Sequence, residues 1–239
     1  MMFRMMVITA ALCTTPFMSQ AKCIVTYTFD DGLADQYTIA YQMLKESGLT
    51  ATFFVIGSKV GDPKGLKNSA ENDTPLMTWE QVRDMATNGM EIASHGWAHA
   101  EYRDMNRDAI LDDICRNQSA LKENAGVDCI SFAPPFGAYK GADGSDVVGI
   151  AKECGIRFVR AGIKRASANM TAEDMNAIVE AAKEDGSWIV FMTHGVARGY
   201  DAWKNPEELR KHFKWIKDQK DVRVMTFSAA SEVNHVAFE

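Results

Sequence analysis

The chain reads as one α/β domain, a distorted (β/α) barrel of seven or eight strands. Three observations predict it. Short apolar runs rich in Val, Ile, Phe and Thr alternate with longer stretches of helical periodicity along the 239 residues. Repeated strand–helix units imply parallel strands joined by right-handed crossovers, in either an open sheet or a closed barrel. The polar clusters with chemical character each stand just after a strand candidate, and a parallel barrel gathers such positions on one rim, which favours the barrel.

Seven strands are expected, the first over Cys23–Phe29 and the rest over residues 52–56, 91–94, 129–133, 157–159, 188–192 and 223–227. Helices are expected between them. Residues 34–47 form one, stopped by Gly48. Thr78-Trp79-Glu80-Gln81 has the spacing of a capping box and opens a second, closed near Asn88-Gly89. Residues 104–124 carry Ile110, Leu111, Ile114 and Leu121 at helical spacing, and residues 147–153 are a short helix before Gly155. Residues 171–184 put Met175, Ile178, Val179 and Ala182 on one side. Asn205-Pro206-Glu207-Glu208 supplies a cap, a first-turn proline and two acids for a helix running to about Gln219.

The first 21 residues are expected to be an export signal. Arg4 precedes an apolar stretch, and Ser19-Gln20-Ala21 offers small residues for a cut after Ala21. The stretch is short and broken by Thr14, Thr15 and Pro16, so no stable membrane span is expected. Ala10-Ala11-Leu12 before Cys13 is a poor lipoprotein signal, and a secreted or periplasmic protein spanning 22–239 is the expectation. Four cysteines remain in it, Cys23, Cys115, Cys129 and Cys154, enough for two disulfides in any of three pairings. The net charge of −6, with no long basic run, argues against nucleic acid as a partner.

Four clusters carry the chemistry: Thr28-Phe29-Asp30-Asp31-Gly32, Ser94-His95-Gly96-Trp97-Ala98-His99, Ala133-Pro134-Pro135-Phe136-Gly137 and Met192-Thr193-His194-Gly195. Neighbouring strand residues point to opposite faces, so Asp30 and Asp31 can serve one site only if the strand ends and turns there, which Gly32 permits. Two adjacent acids repel, and a divalent cation would relieve them. His95 and His99 would share one side of a single helical turn. Two imidazoles and a carboxylate are a known ligand set for a catalytic zinc. His194, on the same rim, is a candidate general acid. His212 and His235 read as surface or structural residues.

In this order the clusters resemble the NodB-homology polysaccharide deacetylases, carbohydrate esterase family 4, over roughly residues 22–230. Residues 28–32 match the T-F-D-D-G motif throughout. His95 and His99 match the spacing of H-[ST]-x-x-H, with Gly96 where Ser or Thr is usual, and Met192 and His194 match the last motif. The resemblance implies a distorted barrel and one divalent metal, usually zinc, with Co2+, Ni2+ or Mn2+ as alternatives. Asp31, His95 and His99 would hold it, Asp30 would be the base and His194 the acid. The Phe136 N–H, in the turn with Pro135, would meet the oxyanion. Met192 would line an acetyl pocket, and Trp97, Tyr139, Tyr200 and Trp203 are candidates for sugar stacking. The substrate would be an acetylated oligo- or polysaccharide. The chain departs from the family at the R-x-P-[YF]-G motif, where Ala133 holds the Arg position, and lacks the usual Asp-Trp pair near Val159. Arg160 is the candidate replacement for that Arg. The competing expectations are an O-acetyl esterase on a glycan such as xylan, a catalytically weakened carbohydrate-binding barrel, and a metal phosphoesterase.

Overall fold

The computed structural model of the chain describes residues 22–65, 74–161, 164–165, 170–197 and 205–234. The proposed export segment, Tyr200, Trp203 and His235 lie outside them. Among the described residues eight strands form one parallel sheet: β1 (Cys23–Phe29), β2 (Thr52–Val55), β3 (Glu91–Ser94), β4 (Ser131–Phe132), β5 (Phe158–Val159), β6 (Lys164–Arg165), β7 (Trp188–Thr193) and β8 (Val222–Val224). Their order is β5-β4-β3-β2-β1-β7-β6. β8 pairs with the first half of β1, at Cys23–Val25, while β2 pairs with its end at Thr28 and Phe29. This shared edge curls the sheet. Among the described residues no ladder joins β5 to β6, so the barrel is distorted and open there.

The helices cover the outside. They are α1 (Gln42–Ser47), α2 (Trp79–Thr87), α3 (Arg107–Ala125), α4 (Val147–Glu153), α5 (Ala172–Asp185), α6 (Pro206–Lys217) and α7 (Phe227–Val233). Thr78 makes the capping box that its spacing predicts, and Thr171 makes another at α5. Fully buried rings of Tyr27, Phe29, Phe53, Phe54, Phe132, Phe191 and Phe213 fill the core.

Several expectations need correction. The helix over 34–47 spans its expected range, but Gln36–Tyr41 within it is π-helical. α3 begins at Arg107, after a separate turn at Tyr102–Asp104. The strand expected over 223–227 stops at Val224, because Thr226 caps the start of α7. β6 is too short to leave a sequence signal. α7 closes the base of the barrel. Its Phe227 N–H donates to Thr52 Oγ1 at 2.8 Å and its Ser228 N–H to Glu91 at 3.0 Å. Glu91 also accepts from Thr52 and Ser131, tying the starts of β2, β3 and β4 together.

Of the two disulfides the cysteine count permits, one is formed, Cys115–Cys154, joining α3 to the end of α4. Cys23 and Cys129 are buried thiols. No helix among the described residues is long and apolar enough to cross a membrane.

Candidate functional site

The candidate site residues follow the last ladder rungs of their strands. The backbone N–H of Asp30 donates to Thr193 O, that of His95 to Val55 O, that of Ala133 to Ser94 O and that of Arg160 to Phe132 O, at 2.8–3.0 Å. One rim therefore carries Asp30 and Asp31 from β1, His95 and His99 from β3, the Pro134–Gly137 turn from β4, Arg160 from β5 and His194 from β7.

Asp31 solves the problem of adjacent acids by adopting φ +79°, a left-handed conformation that costs a non-glycine residue energy and that gathers at functional sites. The reversal aims both carboxylates into one space. Asp31 Oδ1 then lies 3.4 Å from His95 Nε2 and 3.4 Å from His99 Nε2, and His95 Nε2 is 4.0 Å from Asp30 Oδ2. The ligand-capable atoms of Asp31, His95 and His99 lie within 4.8 Å of one another.

His95 and His99 do not meet on a helical turn as expected. The loop between them is irregular, with Gly96 at φ +74° and His99 at φ +53°. α3 holds it from behind. Buried Asp113 accepts the N–H groups of Trp97 and Ala98, both at 2.9 Å, and the Tyr102 hydroxyl at 2.7 Å. A Cβ at position 96 would come within 2.6 Å of Asp113 Oδ2 and 2.8 Å of the Tyr102 hydroxyl, so glycine is required there. Asn117, one turn on, donates to Val55 O and Ser94 Oγ. The sequence reading missed both residues. Their signal was polar side chains at positions 113 and 117, on the same stripe as Ile110, Ile114 and Leu121.

The donor set fits a cation. His95 Nδ1 lies 2.7 Å from Ala133 O, so that nitrogen carries a proton and donates it, and Nε2 is the atom that faces Asp31. Asp31 Oδ1 is buried without a hydrogen-bond donor. A carboxylate oxygen and an imidazole nitrogen 3.4 Å apart call for a positive charge between them, either a metal ion or a proton on the ring, and against its burial the two acids Asp30 and Asp31 raise the His95 pKa. Burial would raise the Asp31 carboxyl, but the three histidines hold it below its usual range. Burial and the neighbouring His95 push His99 down to about 4, which favours a neutral, ligating imidazole.

Asp30 has a different partner. Arg160 donates to it in a fork, at 2.6 Å to Oδ1 and 2.5 Å to Oδ2, and also donates to Thr28 Oγ1 at 3.0 Å. Burial would raise this carboxyl, yet Arg160, joined by His95 and His194, outweighs burial and holds it well below the carboxylate range. Arg160 is itself fixed, stacking over Phe54 at 4.6 Å while its carbonyl accepts from the Tyr139 hydroxyl. His194 lies close enough to act electrostatically on Asp30, Asp31 and His99. Met192, two residues before it and paired with Thr28, is buried on the same strand. Phe136 is 58% exposed at φ +55°, with its ring 4.6 Å from that of His99, while Pro135 beside it is buried. Trp97 packs under the Arg116 guanidinium at 4.3 Å and over Gly57, which gives its ring a packing role. His212 is fully buried, which rules out a surface role.

Residues 18–159 match the family model described as polysaccharide deacetylase. Over 118 residues the chain is 31% identical to a bifunctional xylanase/deacetylase of Pseudobutyrivibrio xylanivorans, a stretch covering 49% of this chain and 17% of that protein. Over 115 residues it is 28% identical to the peptidoglycan-N-acetylglucosamine deacetylase PgdA of Listeria monocytogenes, covering 48% and 22%. The chain thus spans less than a third of the length of these relatives. Among solved structures, a family 4 acetyl xylan esterase from Clostridium thermocellum superposes with a TM-score of 0.62 at 24% identity, over 89% of this chain and 92% of that one. The Bc1960 peptidoglycan N-acetylglucosamine deacetylase superposes with a TM-score of 0.64 at 19% identity, over 88% of each chain. At these identities the superpositions establish the fold.

Proposed function

The chain belongs to the polysaccharide deacetylase family, and from that premise we propose that it is a metal-dependent hydrolase removing acetyl groups from carbohydrate. The observation that carries the reading is the convergence of Asp31, His95 and His99 on one point, with Asp30 beside them. These three would hold one divalent ion, zinc first, with Co2+, Ni2+ or Mn2+ as alternatives. Bound there, the ion supplies Lewis acidity that acidifies water and polarises an acyl carbonyl.

The chain's own groups do the rest. Asp30 takes a proton from the attacking water. Arg160 keeps that carboxylate ionised and aimed, in the role the family gives to the residue at Ala133. The Phe136 N–H, on its turn with Pro135, meets the negative oxygen that develops as water adds to the carbonyl. His194 then protonates the departing amine or alkoxide. Met192, buried below His194, lines the acetyl methyl position. The substrate is an N-acetylated oligo- or polysaccharide. Relatives named as peptidoglycan and chitin deacetylases support that class. O-acetylated xylan is the alternative, supported by the xylanase/deacetylase relative. Export from the cytoplasm is part of the proposal, and the Cys115–Cys154 disulfide supports it, since such bonds persist in oxidising compartments.

The test is acetate release by zinc-loaded protein from N-acetylated chito-oligosaccharides, peptidoglycan fragments and acetylated xylan. Asp30→Asn is expected to lose about 10²- to 10⁴-fold in rate. Equal release by wild type and variant would sink the assignment of the base. Glycan binding without acetate would favour the carbohydrate-binding barrel.

A further inference from the structure

Gln36 lies in the π-helical turns before α1, fully buried, and neither the motifs nor the mechanism use it. Single π-turns inside helices recur at functional sites, because the extra residue re-aims one side chain. Here the side chain reaches the main chain of the active rim. Gln36 Nε2 donates to Asp30 O at 2.5 Å and to His194 O at 2.5 Å. Both partners are carbonyl oxygens, so the end facing them must be the NH2, the only part of the amide with two donors.

Each of these carbonyls stands at a decisive place. Asp30 O belongs to the peptide that links Asp30 to Asp31, the one whose reversal at φ +79° brings both carboxylates into one site. His194 O belongs to the first residue beyond β7. The strands themselves are already joined, Asp30 N–H to Thr193 O. Gln36 adds a brace one residue further out, where the ladder has ended and the strained turn begins.

We propose that Gln36 is a positioning residue that sets, through the main chain, the aim of Asp30, Asp31 and His194 together. The proposal rests on the metal-hydrolase reading above. A residue that only filled the core would affect folding and leave the folded site intact. A brace on these two peptides would instead change the affinity for metal through Asp31, and the turnover through Asp30 and His194.

Gln36→Met conserves length and volume and removes both donors. Zinc affinity, measured by competition with a chromophoric chelator on folded protein, is expected to weaken by about 10- to 100-fold. On an acetylated chito-oligosaccharide kcat is expected to fall by about 10²-fold with KM unchanged. Gln36→Asn keeps an amide one methylene too short to reach both carbonyls. It is expected to lose less, and serves where the Met variant does not fold. Wild-type zinc affinity in a folded variant overturns the proposal while leaving the metal site standing. A wild-type protein that takes up no zinc overturns the metal reading and the proposal with it. Failure of both variants to fold assigns the contact to stability and also overturns it.

Discussion

Asp30 and Arg160 are both buried, and each carries a charge the interior would reject alone. Their fork-to-fork geometry supplies the compensation, two parallel charge-assisted bonds in place of water. Arg160→Met would strand a buried carboxylate, which typically costs about 3–5 kcal/mol. We expect it to lower both the melting temperature and kcat/KM, with Arg160→Lys milder because it keeps the charge and loses the fork. Phe132 pairs with Val159, so residues 133 and 160 follow paired positions on neighbouring strands. Ala133→Arg in the Arg160→Met background is therefore expected to recover part of the activity, and no recovery would show that only the β5 position can reach Asp30. This pair also marks how far the sequence could be read. Asp30, His95 and His194 were legible because each directly follows a strand, with Asp31 and His99 in the same clusters, and strand ends on a parallel sheet share a rim. The left-handed turn at Asp31 and the irregular His95–His99 loop were not. The loop is held by Asp113, a partner on another element, and the peptide before Asp31 by Gln36, which belongs to none of the clusters.

At the scale of elements, α3 is the scaffold of the His95–His99 loop. Its inward stripe carries Asp113 under that loop and Asn117 under the end of β3. Cys115, between them in sequence, ties the helix to the end of α4. The bond closes a loop with a sequence separation of 39. Chain entropy then predicts a contribution of about 4 kcal/mol. Cys115→Ser with Cys154→Ser is expected to lower the urea midpoint accordingly while the far side of the barrel keeps its structure. An unchanged midpoint would mean that the pair is not oxidised in the folded protein. The start of α2 was readable from local chemistry alone, at Thr78, where cap and third residue bond each other reciprocally, whereas the Asn106 cap of α3 and the capping box at Thr171 went unread. The cysteine pairing was not, since it depends on how α3 and α4 pack. The apolar run after Val222 misled for a related reason. A short hydrophobic segment suits a strand or a helix equally, and the Thr226 cap decides for helix.

Across the whole molecule, the alternation of strand and helix was enough to give parallel strands, and the polar clusters gathered on one rim decided for the barrel over an open sheet. It could not give the place where β8 shares an edge of β1 with β2, because that depends on registers set by packing. The same packing buries a polar chain on the outer side of β1. The Tyr27 hydroxyl donates to His212 Nε2 at 2.6 Å, and His212 Nδ1–H donates to Asn176 Oδ1 at 2.6 Å, joining β1, α6 and α5. Both imidazole nitrogens are used in the neutral form, and burial pushes His212 down to about 3 from an ordinary value of 6.5. Between those values the unfolded chain takes a proton that the folded protein refuses. Stability from this group is therefore complete above about pH 6.5 and drains away as pH falls toward 3, with a slope of at most about 1.4 kcal/mol per pH unit. His212→Leu would be less stable at pH 7, with Tyr27 and Asn176 left unpaired, but would lack that part of the acid slope. Urea unfolding of both proteins at several pH values from 7 to 4 makes the comparison. The wild-type and variant curves should converge as pH falls, and parallel curves would mean that His212 is protonated in the folded barrel.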